Sequence, residues 1–312
     1  MYKKTAVLLM AHGAPESLDD IPAYIQHIMK GREASDAVID QVRERYRLVG
    51  GKSPLLEMTR RQAASLEKRL NQSGDDFKVY IGMRHWHPFI AETVREIVED
   101  PPDRLLALSL APQYSTLSVE AYFQTLQSAL TSAGLDIPVR RVKSWYNQAE
   151  LIEAFSEKIQ EALGQYDASA RVAVQLLFTA HSLPESVVER GDPYPREVDS
   201  TVSAILQKLD IDPASKNWSF AYQSQGFRGG KWLGPEVEKV LGILGEAGKS
   251  EVLVVPIGFV CDHVEILYDI DILYKGLAAS HGITLRRTDS LNASPRFIEA
   301  LAQVVRNNLL QA

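Results

Sequence analysis

With a single cysteine, Cys261, in 312 residues, the chain has no internal disulfide and cannot on its own thiols hold an iron–sulfur cluster or a thiolate zinc site. One unpaired thiol suits a reducing compartment, and a cytoplasmic protein is expected. No apolar run approaches the roughly 18 residues of a membrane span, so no transmembrane segment is expected either. Basic residues are in slight deficit, 34 Lys plus Arg against 40 Asp plus Glu for a formal net charge of -6, and no basic run tracks a phosphate backbone. Nucleic acid is therefore not an expected partner. The GxGxxG dinucleotide fingerprint is absent. GGKS at residues 50–53 ends like a P-loop, but the position that needs its first glycine is Tyr46, and YQSQG at 222–226 lacks the first glycine of a nucleophile elbow. Dehydrogenase, phosphate-cradling and serine-hydrolase readings lose their anchors.

Hydrophobic residues make up 45% and charged residues 24%, an ordinary globular balance, and the length suits two domains. Short runs rich in Val, Ile and Leu recur at residues 5–10, 77–83, 105–110, 171–178, 218–222 and 252–260. Helix-period segments lie between them at 60–70, 151–163, 195–209 and 235–247, with a final one at 295–311. That alternation predicts an α/β protein with parallel sheets. The amino-terminal MYKKTAVLLMAHGAP has a short apolar run that His12 interrupts, so it reads as a first strand and not as a signal peptide. Residues 11–17 read AHGAPES and residues 180–186 read AHSLPES, each directly after a strand run. Five of seven positions agree, which predicts two similarly built lobes, 1–145 and 146–312, with the final helix free to pack on either.

Open parallel sheets bind ligands beyond the carboxyl ends of their strands, and two facing lobes would share one cleft. The residues at those ends include His12, then Arg84, His85 and His87, then His181, and then Asp262, His263 and Glu265. His181 sits where strand turns to loop, fit to accept a proton or to serve as a neutral metal ligand, or simply to cap local backbone. Asp262, Glu265 and Asp269 fall at i, i+3 and i+7 of a helical stretch, so one face carries three acids. Helix capping accounts for Asp262, whereas Asp269 lies beyond the first turn and is better explained by a passing cation. A His plus Glu pair suits transient handling of a divalent ion. His85 and His87 fit chelation or a polar rim.

The strings AHGAP, GGKSPL, YIGMRHWHPFI, LAPQYSTLSVEAY, TAHSLPE, GDPYP, YQSQG with WLGP, and PIGFVCDHVEILYDID together resemble the ferrochelatases, from the first strand to the final helix. The chain is most similar to the soluble coproporphyrin III ferrochelatases of Gram-positive bacteria. The resemblance implies two Rossmann-like, chelatase-like lobes with a porphyrin cleft between them. It implies ferrous iron and a porphyrin as substrates, no prosthetic cofactor, no iron–sulfur cluster and a monomer. By motif position, His181 and Glu265 become the catalytic pair and face the macrocycle centre, with Asp269 continuing an acidic metal path. His12 stands where relatives place a tyrosine, and it is expected to touch both porphyrin and metal. Arg45, Tyr46, Ser53 and Tyr122 become propionate contacts, joined by Lys30 beside Met29, where close relatives have an arginine. Leu273 replaces an acid found in some relatives, so the acidic path is either shorter or routed through Asp271.

A flat free-base porphyrin must bend and lose two N–H protons before iron can enter. His181 is expected to accept a pyrrole proton with help from Glu265. The rival readings are a protoporphyrin IX ferrochelatase, a non-catalytic porphyrin or haem carrier, and a cobalt chelatase acting on a more heavily carboxylated ring.

Overall fold

The computed structural model describes residues 4–226 and 230–310. The chain divides into two compact units, Met1–Trp145 with Asn292–Ala312, and Tyr146–Leu291. The second lobe therefore ends at Leu291 and not at residue 312, because the final helix counts with the first.

In the first unit four parallel strands, β1 (Lys4–Ala11), β2 (Asp76–Met83), β3 (Arg104–Ser109) and β4 (Val139–Val142), lie in the order β2-β1-β3-β4. In the second, β5 (Gln175–His181), β6 (Trp218–Gln223), β7 (Glu251–Pro256) and β8 (Thr284–Arg287) repeat that order as β6-β5-β7-β8, again all parallel. The AHGAPES and AHSLPES strings thus leave the corresponding central strands β1 and β5. Each central strand is apolar and covered on both faces, as a parallel sheet flanked by helices demands: Val7 through Met10 and Leu177 with Phe178 have no exposed surface.

Helices supply the covering layers. In the first unit Ile90–Glu99 and Val119–Ala133 close one core with Leu8, Met10 and Phe123. In the second, Val237–Glu246 and Glu265–Tyr274 pack over Val252, Val254 and Leu177. The final helix, Pro295–Leu310, meets the helix Leu55–Leu70, where Glu299 takes a two-pronged contact from Arg69 at 2.5 and 3.1 Å. The expected end of that helix, Gln311, lies outside the described residues.

Several expected bounds move. The run at 171–178 is strand only from Gln175, because Asp167 accepts the Ala170 amide hydrogen and caps a short helix, Ala168–Ala173, ahead of it. β7 stops at Pro256, and the residues after it turn. The acid-bearing stretch winds as a π-helix over Glu265–Tyr274, so Glu265 and Asp269 are separated by a little under one wide turn.

Candidate functional site

The second unit places His181 at the last residue of β5 and Glu265 at the start of the π-helix that follows β7. Gly258 makes this approach possible. A methyl group there would stand 2.9 Å from the Ala180 Cα and 3.2 Å from the His181 nitrogen, so a side chain would push the strand end away. The His181 Nε2 lies 3.6 Å from Glu265 Oε1, and His263 Nε2 lies 3.7 Å from Glu265 Oε2. One carboxylate therefore faces two imidazoles.

The other ring nitrogens decide the chemistry. His181 Nδ1–H donates to the Ser182 carbonyl at 2.5 Å, and His263 Nδ1–H donates to the Cys261 carbonyl at 3.0 Å. A carbonyl can only accept, so each neutral ring carries its lone pair on the Nε2 that faces Glu265. Two lone pairs and a carboxylate then converge, and the cluster is relieved by a proton. The electrostatics agree. Burial drives the His181 pKa down, but the Glu265 charge and its hydrogen bond raise it more, for a net rise. Burial drives Glu265 up, yet His181 and His263 hold it well below the ordinary carboxylate range.

The surroundings fix the pair. The Tyr194 hydroxyl donates to the His181 carbonyl at 3.0 Å from the helix Tyr194–Lys208. Asp269 is 5% exposed and accepts from the Ser224 hydroxyl at 2.5 Å. Asp271 is not available to an acidic path, because both its oxygens accept from Arg287, at 2.8 and 3.0 Å. Asp262 does not cap the helix; its Oδ1 takes the Ser290 hydroxyl at 2.8 Å and lies 3.2 Å from Arg287.

The first unit repeats the device. His12 follows β1 directly and is exposed. Its Nδ1–H donates to the Gly13 carbonyl at 3.0 Å, which leaves Nε2 with the lone pair, and the Tyr24 hydroxyl donates to the same carbonyl at 3.3 Å. Gly13, at φ +88, again permits the packing, since a methyl there would meet the Trp86 nitrogen at 2.8 Å. The His85 ring lies against that of His12, tilted by 41° at 4.5 Å between centroids. Burial first, and then the charges of His12 and Arg84, press His85 down to about 2, so it stays neutral. His87 instead pairs with Glu92 at 2.9 Å at a helix start, so His85 and His87 serve different partners.

The remaining sequence-predicted residues all lie in the first unit. Lys30 is exposed, in left-handed backbone at φ 55, and borders an open depression of about 910 Å³ with His27, Arg84, His85 and Arg95. Tyr122 is 6% exposed beneath the Arg84 guanidinium, and burial pushes it up to about 12. Tyr46 is buried and Arg45 half-buried on the helix Asp36–Leu48. Ser53 is buried, its oxygen accepting from the Leu55 amide at 3.3 Å. Among the described residues no three His, Cys, Asp or Glu side chains are grouped to hold a metal ion.

Sequence reasoning passed over His263 as a partner of Glu265, although it stands two residues away in the same motif. Tyr194 was visible only as part of GDPYP. Arg287 carried no local signal, because the fold alone brings β8 to the π-helix.

A family model described as Ferrochelatase matches residues 4–309. The chain is 40% identical over 306 residues to the ferrochelatase of Herpetosiphon aurantiacus, covering 98% of this chain and 99% of that one. It is 36% identical over 306 residues to the coproporphyrin III ferrochelatase of Geobacillus sp. (strain WCH70), covering 97% of each. Among solved structures, the sirohydrochlorin chelatase SirB of Bacillus subtilis subspecies spizizenii, in complex with cobalt, matches with a TM-score of 0.57. That match covers 98% of this chain and 95% of the other at 12% identity, so it speaks for the fold alone.

Proposed function

The chain belongs to the ferrochelatase family and inserts ferrous iron into a free-base porphyrin, as a lyase of haem biosynthesis; from that premise we propose that His181 and Glu265 carry the proton chemistry and that the porphyrin is coproporphyrin III. The observation that supports the first part is the carboxylate facing two Nε2 atoms whose Nδ1–H groups are committed to backbone carbonyls. His181 Nε2 takes a pyrrole proton as general base, and the imidazolium formed is paired by Glu265. Insertion releases two protons for each Fe2+ taken up, and Asp269, four residues along the same helix, is the next acceptor. Ferrous iron accepts both imidazole and carboxylate, and with few fixed ligands it can leave again. Iron is thus a substrate here, with no resident cofactor, and the enzyme works as a cytoplasmic monomer. Metal analysis and sedimentation of the purified protein test those last points. Among the described residues no helix is long and apolar enough to cross a membrane.

Coproporphyrin III is favoured by the relatives that bear its name, and by Lys30 and Arg45 as cations for its four propionates. Tyr46, Ser53 and Tyr122 are proposed as neutral donors in the same role. The kcat/KM for coproporphyrin III is expected to exceed that for protoporphyrin IX by about tenfold or more, the equivalent of ~1.4 kcal/mol or more. The reverse ranking rejects the assignment, and absence of turnover on either ring would favour a carrier.

His12 is proposed as a further metal and porphyrin contact. Its Nε2 lone pair is presented at the surface by the same Nδ1-to-carbonyl lock as in His181. With the iron-porphyrin product bound and then oxidised to the ferric state with ferricyanide, the wild-type protein is expected to give the electron paramagnetic resonance signature of an imidazole-ligated ferric iron. His12→Ala should lose it and release product faster. An unchanged spectrum removes His12 from the iron.

A further inference from the structure

We propose that Arg287 is a positioning residue for iron insertion: its guanidinium, held between Asp262 and Asp271, keeps Glu265–Tyr274 in the wide π winding and so holds Glu265 against His181. The catalytic half of this statement rests on the proton chemistry proposed for that pair. The structural half does not.

A ten-residue π-helix needs an external reason to exist, since i→i+5 winding is rare and mostly confined to single turns inside α-helices. Arg287, at the end of β8, supplies one. Its Nε and Nη2 make a two-pronged contact to Asp271 at 2.8 and 3.0 Å, Nη2 lies 3.2 Å from Asp262 Oδ1, and Nη1 donates to the Thr288 carbonyl at 3.1 Å. Ser290 holds Asp262 from the same connection, at 2.8 Å. The Arg287 side chain is only 16% exposed, and its guanidinium has exchanged water for these oxygens.

The spacing makes this contact selective for one winding. Asp262 lies three residues ahead of the helix and Asp271 within it, nine residues apart. Asp262 stands outside the winding, where Ser290 holds it, whereas Asp271 is carried round with the helix. With i→i+5 bonds a turn takes more than four residues, against 3.6 in an α-helix, so α winding would turn Asp271 further round the axis and away from the side on which Arg287 meets Asp262. In the wide winding a single fork reaches both. If the segment relaxed toward α winding, Arg287 would have to release one aspartate, and Glu265 would rotate away from its 3.6 Å approach to His181.

The test compares Arg287→Met, which removes both contacts, with Arg287→Lys, which keeps the charge and loses the fork, and Asp271→Asn, which weakens only one end. Hydrogen exchange is read on the substrate-free protein, and kcat and KM on iron and coproporphyrin III. Arg287→Met is expected to speed exchange at residues 265–275 and leave β5 and β7 protected, while kcat falls by about tenfold to a hundredfold, the scale of an ångström misplacement. KM for the porphyrin should stay within about twofold. Arg287→Lys and Asp271→Asn should fall between this variant and wild type in both readouts. Unchanged exchange at 265–275 overturns the clamp, and changed exchange with unchanged kcat overturns its role in positioning Glu265. Should Arg287→Met fail to fold, the same readouts on Asp271→Asn decide. Because the exchange arm needs no substrate, it judges the clamp even if His181 proves not to be the base.

Discussion

Replacing His181 with alanine is expected to lower kcat for iron insertion by roughly 10²–10⁴-fold, the usual contribution of a positioned general base. The side chain is 31% exposed and its neighbours are held by backbone contacts, among them the Tyr194 bond to the His181 carbonyl, which the substitution spares. The fold should therefore survive, and KM for the porphyrin should move little, because the loss falls on the transition state. Anaerobic assay with ferrous iron and coproporphyrin III, followed by the free-base absorption bands, reads the effect. A thermal scan alongside separates lost chemistry from lost structure.

Glu265→Gln carries the second large effect, and its signature is the pH profile. Burial lowers the His181 pKa, and the Glu265 charge more than reverses that. Removing the charge leaves burial opposed by the smaller effects of the Ser182 carbonyl and the Asp269 charge, so the acid limb of kcat/KM should shift to lower pH, while the rate at neutral pH falls by about 10- to 100-fold as the imidazolium loses its partner. An acid limb that stays in place while the rate falls would detach Glu265 from His181. Stability should respond in a matching window. The folded pKa of Glu265 lies below its ordinary 4.5, so its contribution is present above that value and is lost as pH falls through the depressed one. The folded pKa of His181 lies above its ordinary 6.5, so its contribution is complete below 6.5 and is lost as pH rises through the raised one. The stability gap between wild type and Glu265→Gln, measured by urea unfolding, should be widest between pH 4.5 and 6.5 and narrow on both sides.

The central strands were legible because parallel strands buried on both faces must be written as continuous apolar runs, as VLLM, LLAL, LLF and VLVV are. The edge strands β4 and β8 were not. Their sequences, VRRV and TLRR, bury one residue each and have no run to find. His181 and Glu265 could be read from motifs that end strands. Arg287 could not, since twenty-two residues and a turn of chain separate it from Glu265, and only the pairing of β7 with β8 brings them near. The π winding was invisible for a different reason: acids at 262, 265 and 269 suit an α-helical face equally well, and the choice is made by contacts from outside the helix. Asp262 illustrates the cost of local reasoning. Its place ahead of Glu265 suggested a cap, and it turned instead to Ser290 and Arg287.

The central claim is that the imidazole of His181, balanced by Glu265, removes a pyrrole proton so that iron can enter. Its most direct test is the anaerobic single-turnover rate of iron insertion into coproporphyrin III as a function of pH, in the wild-type protein and in His181→Ala. The account predicts a fast wild-type reaction with an acid limb, and a slow variant in which that limb has disappeared. A variant that inserts iron at the wild-type rate, or keeps the same limb, would contradict it.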